Sequence, residues 1–329
     1  MKLYTKAGYL NVEGLLRQSF TFNFLIGGRG TGKTFGALQY IRNNNLKVFF
    51  IRRQQTQIDI ISKPEFNPFK AVDKDITVET ASKYHSVFIR NDKVIGYAAA
   101  LSTFAKIRGF DASDVDIMFY DEFIPELHER PIKNEAAALF NAYETVNRNR
   151  ELSGKPPVIL LCAANSNRLD NPVLQGFNLL PDLEKLIRTG KELYTDNRRS
   201  ILLAYLQHSP ISDEKENTAL YRALKGNNFS DMSIKNRFGF SADRIRSKDL
   251  TQYRIMARVG NIGVYVSRQG GASFYVRQTK ETAKYQYKDN EDGIKQFRRD
   301  FPMLPIWDIK GLIEFESLDV YTRFRQIFA

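Results

Sequence analysis

The chain has 329 residues, 43% of them hydrophobic, and a formal net charge of +12 from 49 Lys and Arg against 37 Asp and Glu. That length and composition fit a globular protein of about two domains with a sizeable core. No apolar run approaches the roughly 18 residues needed to cross a bilayer, so no membrane partner is expected. The first residues, "MKLYTKAGYLNVEG", lack the apolar segment of a secretory leader. The single cysteine, Cys162, excludes an internal disulfide framework and fits a reducing compartment.

In chain order, "FTFNFLI" (Phe20 to Ile26) reads as a buried strand and "KTFGALQYIRNN" as the helix that follows it. "LKVFFIRR" (Leu46 to Arg53) is a second strand, and "YHSVFIRNDKVIGYAAAL" reads as a hairpin turning at Asn91-Asp92. "VDIMFYDE" is a third core strand, apolar through its middle as a strand covered on both faces should be. "IKNEAAALFNAYETVNRNRE" carries helix formers, with Leu139, Phe140, Tyr143 and Val146 at helical spacing. "PPVILLCAANSN" is a fourth core strand and "ILLAYL" (Ile201 to Leu206) a candidate fifth; Cys162, inside the apolar run, reads as a packed core thiol.

Strands alternating with helices imply a mostly parallel sheet, which takes ligands at the carboxyl ends of its strands. The composition turns polar over 208–230, a linker with a short helix. Beyond it, "YRIMARVGNIGVYVSRQGGASFYVRQ" reads as three short strands with Gly-rich turns, then a helical C-terminus. The expected organisation is a first domain over 1–207, a linker over 208–230 and a second domain over 231–329.

Charge is concentrated in the second domain: between Asp231 and Lys280 ten Lys or Arg stand against three acids. A basic window of this kind points to a polyanionic partner, with a solvated basic face as the plain alternative.

Gly27-Gly28-Arg29-Gly30-Thr31-Gly32-Lys33-Thr34 matches the phosphate-binding pattern G-x4-G-K-[ST] between a strand and a helix. Its glycines let backbone N–H groups turn inward around phosphates, and the helix N-terminus adds its dipole. Lys33 would reach the β- and γ-phosphates of ATP, and Thr34 would ligate Mg²⁺. Asp121, at the end of "IMFYDE", would complete the Mg²⁺ shell, and Glu122 beside it would activate a water. A hydrolytic glutamate there separates an ATPase from a kinase. "LKVFFIRR" is a candidate for a strand inserted between the loop strand and the Asp strand. Such an insertion marks the additional-strand, catalytic-glutamate (ASCE) class. Asn165 ends the next strand, either as a γ-phosphate contact or as a turn residue. Arg148, in "TVNRNRE", is either a cation at a helix C-terminus or an arginine finger for a neighbouring site.

"NFLIGGRGTGKT", "FFIRR", "FAKIRGFDASDVDIMFYDEFI", "PIKNEAAALFNAYETVNRNRE" and "AANSN", in that order, resemble the DNA-packaging ATPases of small tailed bacteriophages of the phi29 type, relatives of the large terminase subunits. The resemblance covers about the first 200 residues; the rest is similar mainly in size, in "DMSIKNRF" and in its strand content. It implies an α/β fold: a P-loop ASCE ATPase domain with a mostly parallel sheet, then a small α+β RNase H-like domain. It also implies a homopentameric ring that drives double-stranded DNA into a viral procapsid through its portal, in the cytoplasm of an infected bacterium, with DNA or a structural packaging RNA bound by the basic domain. Arg148 falls on the trans-acting finger of that family, Lys106 on a basic residue acting across the interface, and Arg29 on an additional loop arginine. "FIPELHERPIKNE" corresponds to the channel-facing segment, which makes Arg130 and Lys133 candidate DNA contacts. A nuclease needs clustered carboxylates to hold two metals, and the three candidate strands of the second domain carry none, so a nuclease relic is expected. The alternatives are a terminase that also cuts DNA, and a helicase or initiator ATPase.

Overall fold

The computed structural model describes residues 2–107, 109–126, 129, 132–165, 170–207, 209–223, 244–269 and 273–328. The chain divides into two compact units, one of residues 1–168 and 186–239, the other of 169–185 and 240–329.

The first unit is built on a nine-stranded sheet. Its strands are β1 (Phe22–Gly27), β2 (Val48–Arg52), β3 (Thr77–Ser82), β4 (His85–Arg90), β5 (Lys93–Ala100), β6 (Ile117–Asp121), β7 (Ile159–Asn165), β8 (Leu193–Asp196) and β9 (Ile201–Leu206). They lie in the order β3-β4-β5-β2-β6-β7-β1-β9-β8. From β5 to β9 the neighbours pair in parallel; the β3-β4-β5 edge and β8 pair antiparallel. The central strands are apolar throughout because both faces are covered: every residue of β6 and of β9 is buried. Helices α1 (Val12–Leu16), α2 (Lys33–Asn43) and α3 (Gln55–Ile61) supply Leu15, Leu38, Ile41 and Ile58 to the core beside Phe50, Phe119 and Leu161. Cys162 is buried on β7. Asn91 and Asp92 both have positive φ (49° and 60°), so a two-residue primed turn joins β4 to β5.

The strand order alters one expectation. β7, which ends at Asn165, lies between the loop strand β1 and the Asp strand β6, whereas β2 lies on the far side of β6. The inserted strand is therefore "VILLCAAN" rather than "LKVFFIRR". Residues adjacent in sequence gave no ordering here, because a right-handed crossover can land on either vacant edge of β6.

The crossover from β6 to β7 is α4 (Glu135–Asn147). Its end is pinned at the edge where the strands begin: Asn147 Oδ1 accepts from the N–H of Val158 (2.8 Å), and Ile159 N–H donates to Asp116 O (3.0 Å). After β9 come α7 (Pro210–Glu216) and α8 (Ala219–Ala223), within the expected linker; its last residues, 224–230, lie outside the described ones.

The second unit contains α5 (Pro172–Gly176), the first residues of α6 (Leu180–Thr189), and a five-stranded sheet. β10 (Tyr253–Val259), β11 (Ile262–Ser267) and β12 (Phe274–Gln278) form an antiparallel meander. β13 (Tyr285–Tyr287) adds in parallel to β10, and β14 (Ile313–Phe315) in parallel to β12. Around it run α9 (Glu291–Asp300), α10 (Leu304–Ile309) and α11 (Leu318–Phe328). α11 buries Val320, Phe324 and Ile327, and Phe324 packs edge-on against Phe315 (5.3 Å). Gln326 on α11 donates to Gln175 on α5 (2.7 Å).

Candidate nucleotide site

A cluster of charged side chains lies where parallel strands of the first unit end. Gly27 closes β1, and the chain then turns through Gly30 (φ +67°) and Gly32 (φ +88°), conformations that a side chain would strain. Gly32 caps α2, whose first residue is Lys33. Lys33 is buried, and its ammonium folds back to donate to Gly28 O (2.7 Å), Gly27 O (3.0 Å), Thr31 Oγ1 (3.2 Å) and Asn165 Oδ1 (3.4 Å). Burial pushes its pKa down to about 7; Asp121 opposes that shift and Lys215 adds to it.

Thr34 Oγ1 donates to Asp121 Oδ1 at 2.9 Å. Hydroxyl and carboxylate oxygens at this separation are the hard donors that Mg²⁺ takes, so the two residues fit its shell. Asp121 is buried, which raises its pKa; Arg52 beside it works the other way. Arg52, the last residue of β2, bridges both acids: its Nη2 lies 2.8 Å from Asp121 Oδ2, and its Nη1 pairs with Glu122. Glu122 holds φ at +58°, in the left-handed region, with its side chain half exposed. A non-glycine residue in that conformation, at the end of a buried strand and beside a candidate metal ligand, fits a strained working position. Lys33, Thr34, Asp121, Glu122 and Asn165 are thus brought together, as the motifs required.

A second set of charges lies in the core. Arg53, fully buried, pairs with Glu135 on α4 and sits 3.4 Å from Glu129, while Tyr120 donates to Glu135 at 2.6 Å. Burial raises the Glu135 pKa against the opposing effect of Arg53. Arg52 and Arg53, being consecutive, serve different partners: one the acids at the strand end, the other the start of α4 and the segment before it.

Arg148 is absent from this cluster. It follows α4 at the edge where the strands begin, with Nη2 donating to Phe110 O (3.2 Å) and Nη1 at 3.6 Å from Asp111. The seven residues of β7 separate that edge from the loop by about 20 Å. Lys106 is exposed on a 3-10 turn, Leu101–Ile107, after β5. Arg29 is half exposed and pairs with Glu126 of the segment after β6. Lys133 is exposed; Arg130 lies outside the described residues.

The motifs did not single out Arg52, Glu126 or Lys215. For Arg52 a signal existed in "FFIRR", since two arginines ending an apolar strand need acidic partners. Lys215 comes from α7, and its ammonium donates to the Arg29 carbonyl. No spacing in the sequence connects it to the loop, 186 residues away.

In the second unit four cations of the basic window are paired with acids. Arg246 and Lys248 pair with Glu314, Arg244 with Asp308, and Arg277 with Glu316 (3.2 Å). Arg254, Arg268 and Lys280 remain exposed, and Lys235 and Arg237 lie outside the described residues.

The chain is similar in sequence and in fold to known proteins. The DNA packaging protein of Bacillus phage phi29 is 27% identical over 300 residues, covering 88% of this chain and 85% of that protein. The DNA packaging protein of Bacillus phage B103 is 26% identical, covering 83% of each. Among solved structures, the bacteriophage phi-29 viral genome packaging motor assembly superposes with a TM-score of 0.66 at 21% identity, over 99% of both chains. The phi-28 gp11 DNA packaging motor gives 0.63 at 18% identity, over 97% and 96%. These two likenesses concern the fold. The family model of the podovirus DNA encapsidation protein (Gp16) matches residues 4–304, and the chain belongs to that family.

Proposed function

We propose that the chain is an ATP-hydrolysing motor that moves double-stranded viral DNA into a procapsid as a homo-oligomeric ring. The observation that carries the hydrolytic reading is the Thr34–Asp121 contact, with Glu122 next in the chain and Lys33 and Asn165 alongside. Lys33 would hold the β- and γ-phosphates within the inward-facing amides of residues 27–34. Thr34 and Asp121 would hold Mg²⁺, which draws charge from the phosphoryl oxygens. Glu122, once parted from Arg52, would take a proton from the attacking water, and Asn165 would orient that water or the γ-phosphate. Arg148 lies too far from its own loop to serve it, which supports a role at a neighbour's site, with Lys106 as a second cation acting across the interface.

Arg29, once parted from Glu126, would be an additional cation beside the phosphates; Arg130 and Lys133 would contact the DNA backbone, and the segment after β6 would face the DNA. The partners are the DNA, the procapsid portal and a structural packaging RNA, in a pentameric ring working in the cytoplasm of the infected bacterium. No helix among the described residues is long and apolar enough to cross a membrane. We assign no cutting activity to the second unit, whose acids Asp308, Glu314 and Glu316 are engaged by arginine and lysine; Mn²⁺-dependent cleavage of linear DNA would overturn that.

DNA-stimulated ATP hydrolysis by wild type, Glu122→Gln and Arg148→Ala tests the motor. Each variant alone is expected to lose about 10²- to 10⁴-fold in rate. Mixing the two should restore hydrolysis at interfaces that combine an intact Glu122 with an intact Arg148. Normal hydrolysis by Arg148→Ala, with no recovery on mixing, defeats the shared-site reading.

A further inference from the structure

We propose that Lys215 is a second phosphate-binding lysine of the nucleotide site, delivered to the loop from α7; this rests on the nucleotide reading above. Its ammonium lies against the apex of the loop, in the space that a Cβ on Gly30 would fill, and donates to the Arg29 carbonyl. That carbonyl is its one acceptor among the described residues, so two of its three donor positions are available to an incoming anion.

The position of the lysine is fixed by its surroundings. Ser209, fully buried just before α7, donates through Oγ to Gly8 O (3.1 Å). The turn holding Gly8 is tied to the loop, since Leu10 N–H donates to Thr31 O (2.9 Å) and Tyr9 packs on Gly32. α7, the N-terminal turn and the loop are therefore one connected frame, and the Lys215 stem spans it.

Electrostatics agree with the geometry. Lys33 and Lys215 both donate to carbonyls of the same loop, to Gly27 and Gly28 and to Arg29, and neither pairs with a carboxylate among the described residues. Two lysines at one loop, with neither ion-paired to a carboxylate among the described residues and a helix N-terminus beside them, favour an occupant bearing several negative charges. A triphosphate supplies them.

The test is binding of a fluorescent ATP analogue by the full-length protein, measured beside the thermal midpoint. Lys215→Ala, and Lys215→Met, which keeps the aliphatic stem, are expected to bind about tenfold or more weakly at unchanged midpoint, with Lys215→Arg recovering most of the loss. Lys33→Ala is the reference and should lose more. Wild-type affinity in Lys215→Ala and Lys215→Met, while Lys33→Ala fails to bind, overturns the proposal and leaves the nucleotide site standing. A lowered midpoint with unchanged affinity also overturns it, making Lys215 a structural cap. Absence of binding by wild type removes the nucleotide reading and this inference together.

Discussion

The two units treat charge in opposite ways. In the second, Asp308 is gripped by Arg244 and Arg325, Glu314 by Arg246 and Lys248, and Glu316 by Arg277, so each of these acids is already held by a cation. At the loop of the first, Lys33 and Lys215 have carbonyl, hydroxyl and amide acceptors but no carboxylate partner among the described residues. A surface that has settled its own charges gains little from a new ion, whereas one that has not is poised to bind. Net charge counted along the sequence conceals this, since Arg244, Arg246, Lys248 and Arg277 of the basic window are paired with acids that lie beyond it.

Variants can break the contrast, beginning with the largest effect. Arg53→Met should strand Glu135 in the core beside Tyr120 and cost about 3–5 kcal/mol, read as a lower denaturant midpoint; Arg53→Met with Glu135→Gln should recover part of that loss. Asp308→Asn, which leaves Arg244 and Arg325 facing a neutral amide, should destabilise the second unit by about 2–3 kcal/mol without changing ATP affinity.

Next is a pH effect confined to the loop. With its folded pKa near 7 and an unfolded value of 10.5, Lys33 holds its proton in the unfolded state but not in the empty folded one across that window. Stability of the empty protein should therefore rise with pH from about 7 to 10. A bound polyanion restores the charge, so ATP binding at pH 8 to 9 should take up a sizeable fraction of one proton, measurable by calorimetry in buffers of different ionisation enthalpy. Binding with no proton uptake would remove the contrast between the two units. Smallest is Arg246→Ala: this exposed member of the Glu314 pair should cost under about 1 kcal/mol, because Lys248 remains.

The loop, Asp121 and Glu122 were legible in the sequence because each sits at a strand end marked by a local pattern: glycines at fixed spacing, or acids closing an apolar run. The hairpin at Asn91-Asp92 was legible for the same reason. The strand order was not, since it depends on which edge of β6 a crossover reaches. Nor were the partners of Arg52 and Lys215, which meet residues 69 and 186 positions away. Such contacts belong to the sheet, and no short window holds both ends of them.

The inserted strand also acts as a ruler. Neighbouring strands lie about 4.8 Å apart, so placing β7 between β1 and β6 sets the loop strand and the acid strand about 10 Å apart at their ends. Were β1 and β6 direct neighbours, the two strand ends would stand about half that distance apart, with no third strand end between them. The pitch of a hydrogen-bonded sheet thus sets the size of the gap, and Asn165, at the end of the strand that makes it, stands at its midpoint.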